Sequence, residues 1–184
     1  MSNNLLAVPI ALPMLTAILL LIFKDRLRVQ RVIAIASTGT GFIVSLILFG
    51  VVRGQGIQTL YVGGFPAPFG IVLVADLFGA LMVILSGLIG IAVLIYTVLT
   101  IDRERETHFF HPIFQFLLMG VNGAFLTGDL FNLFVWFEVM LIASYILVSL
   151  GGEPYQLREG FKYVLINVLT SSLFLVGIAV LYGV

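Results

Sequence analysis

The sequence predicts an all-α polytopic membrane protein with six transmembrane helices, and three observations carry that prediction. Of the 184 residues, 61% are hydrophobic and only 10% charged, with a mean hydropathy of +1.20. Soluble domains carry about half apolar and about a quarter charged residues. The apolar residues also fall in runs long enough to cross a bilayer, and the few basic residues sort to one set of connections. A β-barrel would instead alternate apolar and polar residues in strands of about ten. That pattern is missing, so helices are left as the way to satisfy the backbone in lipid.

A helix needs about 20 mostly apolar residues to cross a hydrocarbon core of about 30 Å. Residues 5–23, 32–52, 72–99, 110–128, 130–150 and 161–183 meet that length, within a single transmembrane region covering 1–184. The first run is expected to be a helix, not a secretory leader. Met1 to Asn4 carries no basic side chain, no small-residue cleavage site follows, and Pro9 and Pro13 interrupt the run.

Alternate connections hold Lys24, Arg26, Arg28 and Arg31, then Arg103 and Arg105, then Arg158 and Lys162, against Arg53 alone on the other side. The positive-inside rule places these three loops in the cytoplasm and both chain ends outside, in a multi-pass arrangement in a bacterial cell membrane. The connection RGQGIQTLYVGGFPAPFG is rich in Gly and Pro and predicts a short outer hairpin with a strand at TLYV. Only Thr127-Gly128-Asp129 joins the fourth and fifth spans, which are therefore expected to be antiparallel neighbours.

The absence of cysteine excludes disulfides and thiolate metal sites, and a formal net charge of zero gives no argument for nucleic acid. There is no phosphate-binding glycine loop, no His-Glu-x-x-His and no nucleophile elbow. The chain is expected to move something, with no cofactor and no metal, and not to transform a substrate.

Glu138 is the leading candidate. It lies near the middle of GDLFNLFVWFEVMLIASYILVSL. An ionisable group at the centre of a spanning helix costs about 2.5–3.5 kcal/mol on insertion scales. Burial disfavours the charged form of a carboxylate, which suits a group that exchanges protons. The alternative is a neutral glutamic acid holding two helices together.

By depth, Thr170, Ser171 and Ser172 of the sixth span lie level with Glu138, and Asn167 shares a face with Ser171. These residues line a hydrophilic path or serve helix packing. Tyr145 lies seven residues after Glu138 on the same face, as a continuation of that path or as an interfacial anchor. Lys162 opens the sixth span, where it takes part in proton transfer or simply snorkels. Asp76, His108 and His111 are candidates for collecting protons or ions. Asp76 is equally explained by the helix dipole, and Asp129 by N-capping. Arg103, Glu104, Arg105 and Glu106 read as a solvated loop.

The stretch GAFLTGDLFNLFVWFEVMLIASYILVSLGG, with FQFLLMGVN before it, resembles the antiporter-like subunits shared by Mrp-type sodium/proton antiporters and respiratory complex I. GIQTLYVGGFPAPFGIVLVADLFGALMV and LREGFKYVLINVLTSSLFLVGIAVLYG are similar to the Mrp branch in particular. The resemblance implies about fourteen helices in inverted repeats, each with a broken helix. It also implies partner subunits in a hetero-oligomeric complex within a lipid bilayer, and H+ and Na+ as transported ions. In this family the glutamate matching Glu138 works with a lysine of the seventh helix, and Lys162 matches a basic residue that opens the sixth. The 184 residues are then expected to be one part of that fold, without the seventh-helix lysine or the second repeat. A proton-pumping subunit of a complex I-like oxidoreductase or a membrane-bound hydrogenase is the alternative.

Overall fold

The computed structural model describes residues 4–65 and 70–183. A 3-10 turn, Asn4–Ala7, leads into α1 (Val8–Ile22), followed by α2 (Leu27–Gln55). Strands β1 (Gln58–Tyr61) and β2 (Val72–Ala75) come next, then α3 (Leu77–Thr100) and the short α4 (Arg103–Thr107). The chain continues as α5 (Phe110–Leu126), α6 (Leu130–Val148) and α7 (Pro154–Tyr182). Met1, Ser2, Asn3 and residues 66–69 of the expected hairpin lie outside the described residues.

Five helical segments are long and apolar enough to cross a membrane: Asn4–Ile22, Leu27–Gln55, Leu77–Thr100, Leu130–Val148 and Pro154–Tyr182. The chain is therefore a multi-pass, largely helical membrane protein. The sixth apolar helix, α5, has 17 residues, about 25 Å at 1.5 Å per residue.

Two boundaries differ from the sequence reading for a physical reason. Residues 72–75, expected in the third helix, pair antiparallel with β1, from Gln58 opposite Ala75 to Tyr61 opposite Val72. The Val-Leu-Val run is β-branched and apolar, and helix begins only where Asp76 accepts a hydrogen bond from Gly79 N at 2.6 Å. α7 starts at Pro154, seven residues before the expected span, because proline suits the first helical turn.

α1, α2, α3 and α5 form the inner bundle, with α6 against α5 and α7 chiefly against α6. One apolar cluster, around Leu6, Leu48, Val52, Leu73 and Leu126, sits at the strand end. Another, around Leu20, Ala34, Leu94, Phe114 and Leu118, lies nearer the opposite end. The strands are tied to the α5–α6 joint: Leu73 bridges Thr127, and Gly128 N donates to Val72 O at 2.8 Å.

α5 and α6 approach closely because Gly120 and Gly123 carry no side chain. A Cβ on Gly120 would lie 2.8 Å from Met140 N, and one on Gly123 would overlap the Trp136 ring. Within α1, Pro13 has no N–H to give to the carbonyl of Pro9. Asn122 Nδ2 of α5 donates to that carbonyl at 2.8 Å, restoring the lost bond across the bundle.

Candidate functional site

Glu138 lies eight residues past the start of α6, about 12 Å along its axis. The side chain is half-buried, and its Oε1 is shut off from solvent with no hydrogen-bond partner among the described residues. Such an oxygen is costly in an apolar setting, several kcal/mol on transfer scales that lack compensation. Directly beside it, Phe134, Phe137 and Leu141 of α6 face Asn167, Thr170, Ser171 and Phe174 of α7 across a groove of about 210 Å³. Glu138 flanks this groove but does not line it.

A polar cluster continues from Glu138 toward the α6–α7 connection. Tyr145 lies within electrostatic reach of Glu138 and Tyr163, and Asn167 is its hydrogen-bonding neighbour. The Tyr145 and Tyr163 rings meet edge to face at 5.0 Å. Ser144 Oγ donates to Tyr163 OH at 3.1 Å. Of the path residues read from the sequence, the structure thus brings Tyr145 and Asn167 together, and sets Thr170 and Ser171 on the groove. Ser172 is not among the groove residues, and its hydroxyl bonds back to Val168 O at 2.7 Å. Tyr163 and Ser144 escape a reading by sequence, because a tyrosine and a serine near a helix end carry no signal of their own.

Lys162 does not meet Glu138. It pairs with Glu159 one turn earlier at 2.7 Å and stays 52% exposed. Asp76 is an N-cap, as described, and Asp129 caps α6 by accepting from Phe131 N at 3.0 Å. His108 is exposed, with Nδ1 2.6 Å from Glu104 O.

The largest correction concerns Glu106 and His111. Glu106 is not part of a solvated loop: its side chain is 0% exposed, and Arg31 grips it with Nε at 2.7 Å and Nη2 at 2.5 Å. His111, also fully buried, places Nε2 2.8 Å from Glu106 Oε1. An ionised carboxylate only accepts, so Nε2 carries the hydrogen, and buried Nδ1 has no partner among the described residues. Burial pushes the Glu106 carboxyl up. The hydrogen bonds and charges of Arg31 and His111 together outweigh that and hold it below the usual carboxylate range. Alternating Arg and Glu in R-E-R-E hides this: the pattern reads as solvated unless the opposing Arg31, 75 residues away, is known.

At the same end, Arg105 pairs with Glu153 at 2.6 Å. Lys24, Arg26, Arg28 and Arg103 share one open cavity of about 720 Å³. The basic connections therefore converge at one end of the bundle, and the strand pair sits at the other.

Fold and site together have the form of a multi-pass protein of the antiporter-like class. Residues 127–184, which hold α6, α7 and Glu138, match the family model described as NADH:quinone oxidoreductase/Mrp antiporter, TM. Within that class, the chain is similar to the D component of the Na(+)/H(+) antiporter of Alkalihalophilus pseudofirmus, at 53% identity over 99% of this chain and 37% of that protein. It thus spans little more than a third of the length of that curated relative. Among solved structures, a chain of the Mrp complex from Dietzia sp. DQ12-45-1b superposes with a TM-score of 0.90 and 30% identity, over 100% of this chain and 35% of that one. A chain of the membrane-bound sulfane sulfur reductase, an archaeal respiratory membrane complex, gives a TM-score of 0.90 and 28% identity, over 98% and 37%.

Proposed function

We propose that the chain is the N-terminal portion of a membrane subunit of a multisubunit monovalent cation/proton antiporter, and that Glu138 exchanges the proton whose movement is coupled to Na+ efflux. The observation that carries this reading is the mid-helix carboxylate with a buried, unpartnered oxygen, beside a polar-lined groove and inside the family-matched segment. A carboxylate left without a fixed partner is free to take one in turn, which a proton carrier requires and a packing group does not.

In this mechanism a proton reaches Glu138 along Tyr145, Asn167, Tyr163 and Ser144 from the basic end, where His108 and the Lys162–Glu159 pair meet solvent. Thr170 and Ser171 give the groove oxygens that hydrate the far side of the same carboxylate. Protonated Glu138 then passes the proton to a cationic partner, the lysine that the family resemblance places in the next helix. Approach of that cation favours the ionised form, and its withdrawal favours the neutral one. The convergence of basic side chains at one end supports a cytoplasmic assignment for that end, with the strand pair outside and six spans in all.

Replacement of Glu138 by Gln in the full-length, assembled complex is expected to abolish cation/proton exchange in everted vesicles while assembly is unchanged. Undiminished exchange would refute the proposal. The second reading, a proton-pumping subunit of a redox complex, is favoured by the equal structural similarity to the sulfane sulfur reductase. Sequence identity favours the antiporter. Co-purification of iron–sulfur subunits would select the redox complex, and of small hydrophobic antiporter subunits the antiporter.

A further inference from the structure

The inner bundle contains a second polar locus that the Glu138 mechanism does not use. Between α1, α2, α3 and α5, an enclosed cavity leaves about 20 Å³ for the centre of a water-sized sphere, lined by Pro9, Pro13, Thr38, Ser86, Gln115 and Asn122 among others. One water needs about 10–15 Å³ by the same measure.

Three of these lining residues each hold a buried oxygen without a partner among the described residues: Ser86 Oγ, Gln115 Oε1 and Asn122 Oδ1. The orientation of both amides is settled by their neighbours. Gln115 Nε2 donates to Thr38 Oγ1 at 3.0 Å and to the carbonyl of Ala34 at 3.2 Å. Asn122 Nδ2 donates to the carbonyl of Pro9 at 2.8 Å. A carbonyl can only accept, so neither amide can be turned over without setting two acceptors against each other. Their oxygens are thereby left as acceptors beside the cavity.

We propose that this cavity binds one ordered water molecule, which donates to Gln115 Oε1 and Asn122 Oδ1 and accepts from the Ser86 hydroxyl. The count closes: two acceptors and one donor match three of the four bonds that water makes, the usual number for a buried water. A monovalent cation would also attract the oxygens. It would leave the Ser86 hydrogen unused, and none of the lining residues is a carboxylate that could offset its charge in a low-dielectric bundle. Water is therefore the occupant. The site gives α5 a hydrated point at mid-depth, on a face distinct from the Gly120–Gly123 face that meets α6. It stands or falls independently of Glu138.

A water-resolving structure of the assembled full-length complex in sodium buffer tests this. The expected result is a single isolated peak about 2.6–3.2 Å from Ser86 Oγ, Gln115 Oε1 and Asn122 Oδ1, with that peak lost in Ser86→Val, whose extra methyl occupies the space. Empty density there in the unsubstituted protein would overturn the proposal, and that map requires no variant to fold. A peak that gains strong anomalous scattering when thallium(I) replaces sodium would also overturn it, because the occupant would be a cation. So would an unchanged peak in Ser86→Val.

Discussion

A carboxylate in an apolar protein is stabilised by what its oxygens accept, and Glu106 and Glu138 differ in that respect. Both oxygens of Glu106 are engaged, by Arg31 and His111, whereas Glu138 Oε1 accepts nothing from the described residues. The first is held ionised and fixed; the second is left to change state. Because the folded-state carboxyl of Glu106 is lowered from 4.5, its contribution to stability is fully present above that value and is lost as pH falls below it. Melting of the purified complex between pH 7 and pH 3 is expected to show this loss, and Glu106→Gln to flatten it. At pH 7 the substitution is expected to cost about 1.5–3 kcal/mol, the range for hydrogen bonds to charged groups. A fully buried pair would lose more, but Arg31 keeps 30% exposure and recovers some hydration. An unaltered acid limb in the variant would show that Glu106 titrates the same way in both states.

At the scale of elements, the inner bundle is coupled by side chains that repair backbone. Pro13 removes a helical hydrogen bond from α1, and Asn122 of α5 supplies the substitute to the Pro9 carbonyl. The two positions are therefore expected to be thermodynamically coupled. Asn122→Ala alone should cost about 1–3 kcal/mol, the desolvation penalty of an orphaned group. In a Pro13→Ala background the helix satisfies its own carbonyl, so the same change should cost about 1 kcal/mol less. Additive melting shifts across the wild type, both single variants and the double variant would mean that Asn122 is held for its packing or its oxygen alone. The α5–α6 pair is tight by a different device. The three-residue joint forces the helices to be antiparallel, and Gly120 and Gly123 let α6 approach.

At the scale of the whole molecule, transport direction depends on which end faces which compartment. The chain contains no cysteine, so a single introduced one reports without background from this protein. Gln55→Cys, at the strand end, is expected to react with a membrane-impermeant maleimide on intact cells. Asp102→Cys, at the basic end, is expected to react only after permeabilisation. The opposite labelling would invert the proposed orientation and move the proton path to the other compartment.

The membrane class, the approximate helices and Glu138 are legible in the sequence, since burial in lipid is written as long apolar runs and a lone carboxylate stands out against them. Residues 72–75 are not, because a β-branched apolar run looks the same in a helix or a strand, and only β1 across the turn decides. Glu106, His111, Gln115 and Asn122 cannot be ranked by sequence, because a polar residue shows its purpose only through its partner. Arg31 lies 75 residues from Glu106 in the chain, and Pro9 lies 113 from Asn122. Sequence by itself thus determined the solvent this chain is built for and the one carboxylate that solvent makes expensive. The tertiary structure decided which polar atoms are satisfied and which remain open, because that balance depends on distances between elements and not on order along the chain.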